Sequence, residues 1–138
     1  MRYLLDTCVF AEYSKARPNE KIIEWVDTQI QETLYVSVVT IGEIEKGIAK
    51  MQPSRRRTGI EAVLESLLIR FDDRVIPIDT AVARRWGKLT GELENIGRPL
   101  PVIDSVIAAT ALEHHFTLIT RNALDFAQTN AKVLNIWK

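Results

Sequence analysis

Short apolar runs alternate with longer amphipathic stretches along the chain, and this alternation restricts the fold more than any other feature. The runs are Arg2–Leu5, Leu34–Ser37, Val75–Ile78, Thr117–Thr120 and Lys132–Asn135. Apolar runs this short read as strands largely buried on both faces, which is the situation in parallel sheets covered by helices. The stretches between them have helical spacing: Val9–Ala16, Glu20–Gln31, Ile41–Lys50, Thr58–Arg70, Thr80–Asn95 and Val102–His115. In the fourth, Ile60, Val63, Leu64, Leu67, Leu68 and Phe71 recur at i, i+3, i+4 and i+7 and mark a core or interface face. Breaks at Arg17-Pro18-Asn19, Gln52-Pro53-Ser54 and Gly97-Arg98-Pro99-Leu100-Pro101 separate the helices. Strand and helix in this order predict an α/β fold with a central, mostly parallel sheet of four to five strands.

The 138 residues suffice for one domain with a sizeable core, and residues 1–138 are read as a single domain. No stretch approaches the ~20 consecutive apolar residues of a membrane span. Met1-Arg2 leads directly into strand-like sequence, so secretion is not expected and a cytoplasmic location is. Eighteen basic residues balance eighteen acidic ones. Any nucleic-acid function must therefore rest on local patches rather than on overall charge. Cys8 is the only cysteine; it has no partner for an internal disulfide or a cysteine zinc site and reads as a small buried residue.

The acids are placed more tellingly than their number implies. Asp6 follows the first strand directly. The second strand runs through Ser37-Val38-Val39-Thr40-Ile41-Gly42 into Glu43, in the expected first turn of the next helix, with Gly47 one turn on and able to admit a close neighbour. Asp104 lies near the start of a helix of small apolar residues, and Thr120-Arg121-Asn122-Ala123-Leu124-Asp125 follows the fourth strand. Each position has a purely structural use. Asp6 is a good N-cap, Thr40 with Glu43 has capping-box spacing, Asp104 would complement a helix dipole, and Asn122 and Asp125 form turns.

Taken together they say more. Ligand sites in parallel α/β sheets lie outside the carboxyl ends of the strands, where Asp6, Glu43 and the Asn122 cluster all fall. Carboxylates brought together resist ionising unless a cation neutralises them, and oxygen-only ligands suit Mg²⁺ or Mn²⁺. In phosphodiester hydrolysis one such ion lowers the pKa of a water, and a second ~3.5–4 Å away stabilises the leaving oxygen. No histidine is needed for this, and His114 and His115 sit at an expected helix end in surface or packing roles.

On the opening LLDTCVF, the segment TIGEIEKGIAK, the stretch GRPLPVIDSVIAATALEHHFTLITRNALDF and the ending VLNIW, the chain resembles PIN-domain ribonucleases from Tyr3 to Trp137. Within them it is similar to the VapC-type toxins of VapBC toxin–antitoxin pairs, close to the FitB-like subgroup. The resemblance implies a PIN-like three-layer sandwich. It assigns Asp6, Glu43 and Asp104 to the metal-binding acids and places Asn122 at a fourth catalytic position. Asn122 offers a neutral carbonyl oxygen without charge, which weakens a second metal position; Thr120 and Asp125 are supporting residues there.

The activity implied is a Mg²⁺-dependent endoribonuclease, with Mn²⁺ able to substitute, that cuts cellular RNA such as tRNA and so blocks translation. Homodimers are common in the family. The implied partner is an antitoxin that lies across the acidic groove, an arginine bonding the acids, and that makes the DNA contact itself. Arg121, Arg98 and the run Arg55, Arg56 and Arg57, expected in a loop between two helices, are candidate phosphate contacts.

Two other classes compete. Haloacid dehalogenase-like phosphatases also begin with an aspartate after the first strand, but they need a second aspartate two residues later, where this chain has Cys8. A non-catalytic PIN-like module that binds RNA or protein would tolerate degenerate acids, yet Asp6, Glu43 and Asp104 are all present.

Overall fold

Strand β1 (Tyr3–Leu5) lies at the centre of the sheet, between β2 (Leu34–Ser37) and β4 (Thr117–Ile119), with β3 (Val75–Ile76) and β5 (Lys132–Leu134) at the edges. The computed structural model describes all residues, 1–138. All four strand pairings are parallel, in the order β3-β2-β1-β4-β5. Helices α1 (Thr7–Tyr13) and α2 (Glu20–Thr28) connect β1 to β2, and α3 (Val38–Ala49) and α4 (Arg55–Arg70) connect β2 to β3. Helices α5 (Thr80–Asn95) and α6 (Val102–His114) lead on to β4. The first crossover moves one way from β1 and the β3-to-β4 crossover arrives on its other side, so the order reverses between β1 and β4. A crevice opens at such a switch point, outside the carboxyl ends of the strands.

Alternation along each strand sends side chains to two cores, because successive residues face opposite sides of a sheet. Leu5, Leu34, Val36 and Ile119 join Val9, Phe10, Ile22, Val26, Leu67 and Phe71 under α1, α2 and α4. Leu4 and Leu118 join Leu89, Leu93, Ile107, Ala108 and Phe116 under α5 and α6. Helices on both faces give the expected three layers. No helix is long and apolar enough to cross a membrane.

The starts of α3 and α4 depart from the sequence reading because of their caps. Ser37 accepts the Val39 N–H at 3.1 Å, and α3 therefore starts at Val38. The Thr40–Glu43 capping box does not form: Thr40 lies inside the helix and Glu43 falls in its second turn rather than its first. Ser54 accepts the Arg57 N–H at 3.0 Å, so Arg55, Arg56 and Arg57 form the first turn of α4 instead of a loop. No atom comes within 4 Å of where a Cβ on Gly47 would stand, and the close neighbour expected there is not found. Instead Gly47 lines an open apolar cleft with Phe10 and Ile44.

Candidate metal centre

Asp6 both caps α1 and faces the switch-point crevice. Its Oδ1 accepts the Thr7 N–H at 2.8 Å, its Oδ2 accepts the Thr120 hydroxyl at 2.7 Å, and the residue is 5% exposed. One carboxylate thus serves both as the cap of α1 and as a link to the end of β4. Thr120, directly past β4, also accepts the Asn122 N–H at 3.1 Å and so fixes the start of the next turn. The backbone bond from Asp6 N–H to Ile119 carbonyl, 3.0 Å, holds the two strand ends together.

Glu43 reaches the same place from α3. Its Oε1 accepts the Thr7 hydroxyl at 2.7 Å, which ties the second-turn acid of one helix to the first residue of another. Asp104 enters from the first turn of α6. Burial first, then the charges of Asp6, Glu43 and Asp125, hold its carboxyl above the ordinary aspartate range. The four acids therefore share one crevice and repel across it. No three of them stand close enough to form a preformed metal cage.

Cys8 borders the same group. Its Sγ accepts the Arg121 N–H at 3.5 Å and lies 3.8 Å from the Thr120 hydroxyl. Burial and the neighbouring Asp6 charge push its thiol up, so it remains protonated at neutral pH. Asn122 starts the 3₁₀ turn Ala123–Phe126, in which Asp125 lies. Arg98 and Asp104 line one cleft together, while the Arg121 guanidinium lies 5.8 Å from the centre of the Trp137 ring. Arg57 is engaged elsewhere, donating to the Met51 carbonyl at 2.8 Å and standing 3.8 Å from Glu61. Both histidines sit at the far end of the sheet, before β4: His114 stacks on Phe116, and His115 is the left-handed C-cap of α6.

Sequence reasoning missed the tie through Thr7, for which its place directly behind Asp6 was the one available signal. It also missed Glu12, a buried acid that accepts the Asn19 N–H and meets the Lys15 ammonium and the Trp137 indole. That network fastens the chain end to α1 and lies outside the crevice chemistry.

Carboxylates oriented by hydroxyls and backbone N–H groups make an all-oxygen donor set, and the repulsion at Asp104 is what a divalent cation would relieve. The residues present fit Mg²⁺ or Mn²⁺. The family model for the PIN domain matches residues 3–132. The VapC ribonuclease Y4jK of Sinorhizobium fredii is 35% identical over 136 residues, covering 98% of this chain and 97% of its own. Toxin FitB of Neisseria gonorrhoeae is 33% identical over 135 residues, covering 97% of each. The solved structure of FitAB bound to an IR36 DNA fragment superposes with a TM-score of 0.91 at 31% identity, over 99% of this chain and 96% of the other. With the five-stranded parallel sheet, the acids at its switch point and these matches in agreement, the chain belongs to the PIN domain family.

Proposed function

We propose that this chain is the endoribonuclease toxin of a VapBC-type toxin–antitoxin pair, hydrolysing phosphodiester bonds in cellular RNA, structured RNA such as tRNA among it, with Mg²⁺ or Mn²⁺ as cofactor. The carrying observation is the gathering of acids at a strand-order reversal: Thr120 holds Asp6 and Thr7 holds Glu43 beside it, and burial first, then the charges of Asp6, Glu43 and Asp125, raise the Asp104 carboxyl. The ribonuclease and toxin relatives support the reading.

Asp6, Glu43 and Asp104 would hold the ion, with Asn122, whose N–H bonds to Thr120, and Asp125, whose charge acts on Asp104, as the supporting residues in this reading. A bound divalent ion supplies the positive charge that activates a water and stabilises the leaving oxygen. Thr120 orients Asp6, and Thr7 orients Glu43, before any ligand arrives. The resemblance supports a homodimer and an antitoxin that covers the acids, with an arginine as their natural blocking partner because it bonds carboxylates in pairs. Residues 1–138 act as one domain in this reading.

The test is incubation of purified, antitoxin-free protein with total cellular RNA in Mg²⁺ or Mn²⁺, with new 5′ ends mapped by sequencing. Discrete ends that vanish with EDTA, with Asp6→Asn and with Asp104→Asn are expected. Intact RNA from folded, metal-supplied protein would replace this reading with that of a non-catalytic binding module.

A further inference from the structure

Beside Asp104 a cleft of about 350 Å³ opens between the α5–α6 loop and the 3₁₀ turn Ala123–Phe126. Arg98 and Leu100 stand on the loop side and Leu124, Asp125 and Gln128 on the other, so two segments distant in sequence build one pocket. Its volume falls in the ~300–1,000 Å³ range of small-ligand sites. Arg98, Asp125 and Gln128 take part in none of the ion pairs of the chain, leaving a five-donor fork, an acceptor-only carboxylate and an amide free to bind something else. Leu124 is 90% exposed on the lip, a large apolar side chain with nothing stacked on it.

We propose that this cleft holds the nucleobase that flanks the cleaved phosphate, and that it prefers guanine. The inference rests on the ribonuclease reading and adds to it a subsite with a specificity. Asp104 is shared by the acid crevice and the cleft wall, so a strand whose phosphate lies at the acids delivers an adjacent base into the cleft. Leu100 and Leu124 provide apolar surfaces for the faces of a base turned out of its stack. Guanine matches the polar groups: Arg98 donates to O6 and N7, while Asp125 accepts from the N–H groups of the opposite edge. Cytosine and adenine offer Asp125 a donor but lack the paired acceptors for Arg98 in that arrangement, and uracil offers a single donor.

The experiment is cleavage of an RNA pool randomised in a single-stranded loop, in Mg²⁺, with both ends of each product sequenced. Wild type, Arg98→Gln, Gln128→Ala and Ala127→Trp are compared, each first shown to melt as wild type does. Wild type is expected to favour guanine roughly tenfold at one position beside the cut. Arg98→Gln removes that preference at that position alone, Gln128→Ala weakens it, and Ala127→Trp, which fills the cleft, flattens it and slows cleavage. Cleavage without base preference beside the cut, or a guanine preference unchanged in both Arg98→Gln and Ala127→Trp, overturns the subsite and leaves the ribonuclease reading standing. Absence of any cleavage by wild type overturns both.

Discussion

The Thr7 hydroxyl donates a 2.7 Å hydrogen bond to Glu43 Oε1, so the residue behind the first-strand aspartate sets the position of an acid on a different helix. Asp6 is held through the same residue's backbone N–H. One threonine thus fixes the spacing of two carboxylates that would otherwise swing apart under their own repulsion. A hydrogen bond to a charged group contributes ~1.5–3 kcal/mol, equivalent to roughly 10- to 100-fold. Thr7→Val is expected to raise the Mg²⁺ concentration for half-maximal RNA cleavage by about tenfold, and Thr7→Ser to restore it. A Mg²⁺ titration in which the valine variant matches wild type would show that Glu43 needs no such support.

Asp104 carries the cost of the crowded acids. Its carboxyl is raised in the folded protein, by burial first and by Asp6, Glu43 and Asp125 after it. Between the ordinary aspartate range and the raised value the folded state binds more protons than the unfolded state, so metal-free stability falls as pH rises through that window and stays lower above it. Asp104→Asn removes the penalty: at neutral pH the metal-free variant should melt above wild type, while RNA cleavage is lost. Adding Mg²⁺ should reverse the order by stabilising wild type more than the variant. Thermal unfolding of both proteins from acid to neutral pH, with and without Mg²⁺, checks this; a variant that melts lower at every pH contradicts it.

Glu12 behaves in the opposite sense. Burial pushes its carboxyl up, but Lys15, the Asn19 N–H and the Trp137 indole outweigh that and bring it below the ordinary glutamate range. Stability from this group is present above its unfolded pKa and is lost as pH falls through the lowered folded value. Glu12→Ala would leave the Asn19 and Trp137 donors without their acceptor, at a cost of about 3 kcal/mol. Chemical denaturation should show that loss, and the loosened end near Trp137 should exchange its amide hydrogens faster than in wild type.

The parts of this fold that depend on local pattern were legible in the sequence. Strand β2 and helix α5 have the bounds that periodicity predicts, Leu34–Ser37 and Thr80–Asn95. Helices α1 and α3 begin earlier than their apolar faces because Asp6 and Ser37 cap them, and a cap is a matter of one side chain's geometry rather than of periodicity. The gathering of acids could be read from topology, since parallel strands deliver their carboxyl ends to one edge. What joins the acids could not: Thr7 and Glu43 are 36 residues apart, and Thr120 and Asp6 are 114 apart. Glu12 carried no signal, because an acid in a short amphipathic helix reads as solvated until its three partners are placed around it.

Two buried threonines show how far the value of a hydroxyl depends on its partners. Thr120 is 0% exposed, donates to Asp6 Oδ2 at 2.7 Å and accepts the Asn122 N–H at 3.1 Å. Thr40 is equally buried, and its hydroxyl has no partner. Valine replaces threonine at nearly constant shape, so Thr→Val at each position isolates the hydroxyl. At Thr120 it removes a donor and an acceptor that two other groups use, which costs ~1–3 kcal/mol and loosens Asp6. At Thr40 it removes a polar group that was desolvated for no bond, which is neutral to stabilising by up to about 1 kcal/mol. The expected melting shifts are therefore of opposite sign, and RNA cleavage should fall only in Thr120→Val. Equal destabilisation by both variants would mean that the Thr40 hydroxyl is bonded in solution, through an ordered water.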